Sequence, residues 1–129
     1  MNRSPLRLAL DDRLVIYYSG EDACWIAHSM RTDQLGTGDC IVDALADAIK
    51  TVNYLLAEAQ DDPTIAVLRD APANVQKLAK KARKLPGELF EIAHKKATGH
   101  WPKDLNIDVT SDSPKDQSYM AELQEQAAR

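Results

Sequence analysis

The chain has 129 residues, of which 44% are hydrophobic and 28% are charged, and its formal net charge is −4 at pH 7. The length suits one domain plus an appendage, and the composition is that of a globular protein. The acidic balance argues against broad nucleic-acid binding by net charge, and no apolar run approaches the roughly 18 residues that a membrane span needs. We therefore expect a cytoplasmic protein that does not enter the membrane.

Charge is distributed unevenly along the chain. Residues 1–60 carry five Lys/Arg against nine Asp/Glu, residues 61–100 carry eight against five, and residues 101–129 carry three against six. An acidic front, a basic middle and an acidic end predict different roles for the three segments. We accordingly predict a sheet-and-helix domain over 1–62, a basic helical segment over 63–100, and then a polar tail over 101–129 with room for a short terminal helix.

Several short runs have the composition of strands. The segment Leu6–Leu10 alternates apolar and other residues, and Arg13–Ser19 is rich in β-branched and aromatic residues. In Ala23–Met30, odd and even positions would face opposite sides of a sheet. Because the turns between these runs are short, the pattern predicts an antiparallel meander, with Thr64–Arg69 as a candidate fourth strand.

A Gly-x-Gly turn precedes the strongest helical pattern of the chain. A nucleotide-binding loop would need a third glycine at position 41, which is Ile41, so we favour a structural turn in which Gly36 and Gly38 adopt positive φ. Asp39 has the composition of an N-cap. The helix that follows has a continuous apolar stripe, formed by Ile41, Leu45, Ala48, Ile49, Val52, Leu55, Leu56 and Ala59.

Two further helices are predicted in the basic middle of the chain. The first, over 73–85, has an apolar face and a basic face, and the basic face consists of Lys77, Lys80, Lys81 and Lys84. The second begins at Pro86 and would end at Gly99, which suits a left-handed C-terminal cap. Together the elements predict an α+β fold: an antiparallel meander of three or four strands, one long helix packed on a face, and a helical C-terminal segment.

The segment from Arg13 to Ala59 resembles the HicB antitoxin family, a group of small RNase-H-like partial folds. The resemblance rests on the strand "RLVIYYS", the strand "CWIAHSM" and the stretch "LGTGDCIVDALADAI", in which the matching positions are Gly36, Gly38, Asp39, Ala44 and Leu45. It implies a non-enzymatic binding unit that covers the active site of a small RNA-cleaving toxin and that forms homo-oligomers. The expected partner is therefore a small basic toxin protein.

Candidate partner-binding residues come from the acidic front and from one aromatic side chain. Asp22 and Asp33 would attract a basic protein, and Trp25 is an interface anchor or a core residue that packs on the long helix. His28 lies in a strand, where we expect a partly exposed side chain rather than a metal ligand. We predict no catalytic residue, no metal site and no cofactor.

The basic helix supports an alternative function. Its face of Lys77, Lys80, Lys81 and Lys84 could contact the phosphates of DNA or RNA, which would make the protein a regulatory nucleic-acid binder. A solvated helix face and contact with the acidic front of a neighbouring subunit remain open as explanations for these lysines. Cys24 and Cys40 fit no zinc or disulfide pattern, which predicts two free thiols.

Overall fold

The structure is a computed structural model that describes residues 11–103 and 105–111. The predicted strand Leu6–Leu10 and the predicted terminal helix lie outside these residues. In chain order the elements are β1 (Asp11–Ser19), β2 (Cys24–Ser29), β3 (Leu35–Gly38), α1 (Ile41–Asp61), α2 (Ala73–Lys81), β4 (Arg83–Lys84), α3 (Gly87–Thr98) and β5 (Asn106–Ser111).

The five strands form one mixed sheet in the order β3-β2-β1-β5-β4. β1, β2 and β3 pair antiparallel, whereas β5 pairs parallel to β1 on its other side. β4 pairs antiparallel to β5. The α+β class is confirmed, but the predicted sheet of three or four antiparallel strands is wrong because a parallel strand extends it.

The candidate fourth strand, Thr64–Arg69, is not a strand. Its first residues form a turn, in which the Asp62 carboxylate accepts hydrogen bonds from the Thr64 backbone N–H and hydroxyl. The free side of β1 is taken instead by β5, where Leu14 lies opposite Val109. Residues 106–111, which we assigned to a polar tail, therefore lie in the interior of the sheet.

The main core lies between α1, α3 and one face of the sheet. Alternation along β1 and β2 directs every second side chain to this face, so that Leu14, Ile16, Trp25 and Ala27 are all buried there. Trp25 packs edge-to-face on Tyr18, with ring centroids 5.4 Å apart. The interpretation of Trp25 as a core residue is thus the one that fits its position.

The apolar stripe of α1 is fully buried in this core along only part of its length. The stripe is buried in the first half of the helix, at Ile41, Leu45, Ala48 and Ile49, and it becomes half-buried from Val52 onward. The helix begins one residue later than Asp39 would require: Cys40 is the N-cap, and it makes no side-chain capping hydrogen bond. The N-cap prediction for Asp39 is therefore wrong.

The two glycines before α1 allow the closest contact of the fold. A Cβ atom added to Gly36 would lie 2.0 Å from the backbone nitrogen of Ala48, and one added to Gly38 would lie 2.6 Å from that of Ala44. Neither glycine has the positive φ that we expected; Gly99 is the glycine of the described residues that does. Gly36 and Gly38 are needed because β3 lies directly against the backbone of α1.

α2 packs on the opposite face of the sheet. Val75 and Ala79 of the helix are buried against Val15 of β1. The helix ends at Lys81 and not near 85 as predicted, because the chain turns to pair with β5, and the Leu85 backbone N–H donates to the Val109 carbonyl at 2.8 Å.

α3 covers the rest of α1. Leu89, Phe90 and Ala93 are buried at this contact, and the helix ends at Gly99 with φ 82°, which confirms the predicted left-handed cap. Within the described residues, none of the three helices combines the length and the apolar character needed to cross a bilayer.

The glycine contact gives a direct test of the fold. We expect Gly36→Ala to lower the free energy of unfolding by about 3 kcal/mol or more, because the added methyl group overlaps helix backbone that cannot move locally. The matched control is Gly20→Ala, because a Cβ atom added to Gly20 would meet no atom within 4 Å beyond its chain neighbours. Its effect on the free energy of unfolding should stay within about 0.5 kcal/mol. Urea denaturation measures both, and equal stability of the two variants would contradict the close packing of β3 on α1.

Candidate functional site

A buried hydrogen-bond network fixes the turn between β2 and β3 to the start of β1. The Ser29 hydroxyl donates to the Asp12 carboxylate at 2.5 Å and accepts hydrogen bonds from the backbone and hydroxyl of Thr32. Asp12 also accepts the backbone N–H groups of Arg13 and Arg31. Burial raises the pKa of Asp12, and the hydrogen bonds from Ser29, Arg13 and Arg31, together with the Arg31 charge, oppose that rise.

His28 joins the same turn to the sheet. The residue is 4% exposed, with Nε2 2.7 Å from an Asp33 carboxylate oxygen and Nδ1 3.3 Å from the Tyr17 hydroxyl. The expectation of a partly exposed histidine is therefore wrong. Burial, and then the Asp33 charge, raise the pKa of Tyr17, so its hydroxyl keeps a proton that it can donate to the imidazole.

The chain of Tyr17, His28 and Asp33 holds a carboxylate at the surface. Asp33 has φ 57° and keeps 23% of its side chain exposed, although one oxygen contacts the histidine. Such a left-handed conformation is uncommon outside glycine, and the contact with His28 helps to maintain it. The arrangement presents a negative charge in a fixed position next to the sheet.

Part of the sheet face that carries α2 is left uncovered among the described residues. α2 contacts β1 and β5. On the same face His28 of β2 is buried, whereas Ile26 of β2 is half-buried and Leu35 and Thr37 of β3 are exposed. The row Tyr17, Ile26 and Thr37 runs across three paired strands, and Leu35, 43% exposed, lies beside it opposite His28. We call Tyr17, Ile26, Leu35 and Thr37 the open sheet surface.

The predicted partner-binding residues do not form one patch. Asp22 is exposed in the turn between β1 and β2, where it contacts the Ser19 hydroxyl at 3.2 Å. Asp33 lies at the opposite end of β2, and Trp25 points into the core on the other face of the sheet. Asp22 and Asp33 therefore flank the open sheet surface, and Trp25 does not reach it.

The predicted nucleic-acid-binding lysines lie on two elements. Lys77, Lys80 and Lys81 are exposed on α2, while Lys84 belongs to β4. Lys84 Nζ lies 3.3 Å from a carboxylate oxygen of Asp108, and both side chains are largely exposed. Such an exposed pair contributes at most about 1 kcal/mol, so Lys84 retains much of its freedom to contact another anion.

Sequence reasoning missed the strand that supplies Leu35 and Thr37. We interpreted the segment Leu35–Gly38 as a turn, whereas it forms β3. The signal was present as an alternation of side-chain-bearing residues with glycine, but glycine has low strand propensity and the run is short. The alternation indicates a strand once Gly36 and Gly38 are known to lie against the backbone of α1.

Neither cysteine forms a disulfide bond, and both are half-buried. Within the described part of the chain, no three His, Cys, Asp or Glu side chains lie close enough together to hold a metal ion.

Neither the family models, nor the curated proteins, nor the solved structures include a match to this chain. The resemblance to the HicB family remains a prediction from the sequence.

The network around Asp12 predicts a pH-dependent mutational effect. Ser29→Ala should cost about 1–3 kcal/mol at neutral pH, because the variant leaves a buried carboxylate without one of its donors. The Ser29 hydroxyl lowers the pKa of Asp12 in the folded state, so this part of the loss is present where Asp12 is ionised and disappears as the pH falls through the folded pKa.

Urea unfolding of both proteins over an acid-to-neutral pH series measures this difference. The control is Thr51→Ala. The Thr51 hydroxyl donates to the backbone carbonyl of Asp47 at 2.9 Å, so this variant removes a hydrogen bond to an uncharged acceptor. Its effect should not depend on pH. A Ser29→Ala loss that is constant across the series would show that the hydroxyl does not stabilise the Asp12 carboxylate.

Proposed function

We propose that this chain is a protein-binding module of the antitoxin type, and that its open sheet surface binds and neutralises a small basic RNA-cleaving toxin. The observation that carries the proposal is an uncovered apolar area with acidic residues at both ends. Ile26 and Leu35 supply apolar contact area, whereas Asp22 and Asp33 supply negative charge beside it. An apolar centre with a charged rim is the usual composition of a protein interface.

The charges make a basic partner the best match. The His28 contact holds Asp33 in place, and Asp22 is exposed at the far end of the same strand. Complementary charge increases the rate of association with a cationic protein and penalises an anionic one. A toxin that binds RNA would be basic for the same physical reason, since it must approach phosphates.

The arrangement of residues 13–59 also supports the proposal. Three antiparallel strands carry one long helix on a face, which is the arrangement that the resemblance to the HicB family implies. Gly36 and Gly38, two of the positions that carry the resemblance, are the ones that let this helix lie directly on β3. The resemblance and the packing thus depend on the same residues.

Self-association of the module is a further part of the proposal. In the described sheet β3 is an edge strand, and an unpaired edge is a common site of association. The Asp47 carboxylate accepts the Thr37 backbone N–H at 2.9 Å, so one donor of that edge is already paired. We therefore expect copies to associate through side chains rather than by adding a strand at β3.

The proposal predicts that charge placed on the open sheet surface blocks toxin binding. We expect Leu35→Lys combined with Thr37→Lys to weaken association with a small basic protein encoded beside this chain at least about 100-fold, because it puts two like charges at the interface and removes apolar contact. The measurement is isothermal titration calorimetry, together with the ability of each variant to stop RNA cleavage by that protein.

The matched control is Tyr54→Lys. Tyr54 is 69% exposed on α1, on the other side of the sheet, so this variant adds a positive charge without touching the open sheet surface. It should bind and neutralise like the unmodified protein. If no neighbouring basic protein binds, or if the Leu35→Lys/Thr37→Lys variant still neutralises fully while remaining folded, the proposed function is wrong.

A further inference from the structure

A half-open pocket lies on the other side of the sheet from the open sheet surface. Its volume is about 60 Å³, and it is formed by the second half of α1, by α3 and by the starts of the parallel strands β1 and β5. We infer that this pocket binds a small aliphatic amine, which is a function additional to the proposed toxin binding. The lining residues that carry the argument are Asp12, Val52, Asn53, Leu56, Phe90 and His94.

The walls of the pocket are apolar, and they lie where the burial of α1 is incomplete. The inward side chains of α1 are buried as far as Ile49, whereas Val52 and Leu56 are half-buried although the helix continues to Asp61. Phe90 of α3, which is 7% exposed, forms part of the wall from the other helix. An apolar group that enters this space leaves water and contacts side chains on several sides, which favours binding of a short hydrocarbon chain.

His94 supplies a hydrogen-bond acceptor to this site. Its Nδ1 lies 2.8 Å from the His100 carbonyl oxygen, and because a carbonyl can only accept, Nδ1 carries the proton. In the neutral ring Nε2 is then an acceptor, and among the described residues it has no hydrogen-bond partner. The Thr98 hydroxyl donates to the His94 backbone carbonyl at 2.9 Å, so the last turn of α3 is tied to the histidine. A ligand that donates a hydrogen bond therefore finds an acceptor whose tautomer is already set.

The other polar groups of the pocket favour a cation over an anion. Asn53 is exposed, and within the described part of the chain its side-chain amide has no partner. The Asp12 carboxylate adds a negative charge; burial raises its pKa, and the Arg31 charge opposes that rise from outside the lining of this pocket. An ammonium group can donate to His94 and to Asn53 near this charge, whereas a carboxylate would meet an acceptor and a like charge. The pocket therefore suits an amine better than an acid of the same shape.

The volume of the pocket limits the ligand to a short chain. One water-sized group needs roughly 10–15 Å³, so a pocket of about 60 Å³ holds about four to six non-hydrogen atoms. A short branched chain such as the isobutyl group fills this space. Because the pocket is half-open, an amino group on that chain can keep part of its hydration, which reduces the cost of burying its charge. Isobutylamine is therefore the probe that matches the pocket in size and in charge.

Titration of the full chain with isobutylamine at constant pH and ionic strength, followed by heteronuclear NMR, tests the inference. We expect saturable shifts of the amide signals of the lining residues, with a Kd of about 1 mM, which so few ligand atoms can provide. Isobutanol has nearly the same shape without the charge and should bind about fivefold more weakly, and the anion isobutyrate at least about 20-fold more weakly. Absence of saturable shifts, or binding of isobutanol or isobutyrate as tight as that of the amine, would overturn the inference.

A larger side chain in the pocket should block binding. Val52→Phe enlarges a half-buried side chain of the lining, so we expect the Kd for isobutylamine to rise at least about tenfold. The matched control is Leu55→Phe: Leu55 is also half-buried on α1 but does not line the pocket, and this variant should bind the amine like the unmodified chain. Unchanged affinity of the folded Val52→Phe variant, or an equal loss in the control, would contradict binding at this pocket.

Two polar variants test the contacts to the ammonium group. His94→Phe removes the acceptor and keeps an aromatic ring beside Phe90, whereas Asn53→Ala removes an amide from an exposed position. Each should weaken binding of isobutylamine about fivefold. The Asn53 variant decides the question if His94→Phe disturbs the contact with His100 at the end of α3. An affinity that neither variant changes would show that the amine is not held by these groups, and the inference would be wrong.

Discussion

The fold depends on one close contact, in which strand β3 lies against the backbone of α1. At Gly36 and Gly38 there is no room for a side chain, since any Cβ would overlap backbone atoms of Ala48 or Ala44. This contact sets the distance and the direction of the helix, and it thereby buries the inward-facing side chains of β1 and β2. It also decides which side of β3 carries side chains, because Leu35 and Thr37 must then point to the opposite face, where the open sheet surface lies.

The parallel strand β5 determines the other half of the molecule. By pairing with β1 it places residues 106–111 between β1 and β4, which then lies at the far edge of the described sheet. That placement ends α2 at Lys81 and keeps its last turn next to Arg13.

Local pattern was enough to predict part of this structure. The periods of two and of 3.6 residues located β1, β2 and α1, and Gly99 marked the end of α3. β5 was not predicted: Ile107 and Val109 alternate with polar residues, but the run is short, and its parallel pairing with β1 is a long-range contact that local pattern does not reveal. For the candidate site, the sequence singled out Asp22 and Asp33, of which Asp22 is exposed and Asp33 is half-buried against His28. The sequence did not decide which face of the sheet Trp25 occupies. Alternation along a strand separates two sets of side chains, but it does not say which set packs against α1.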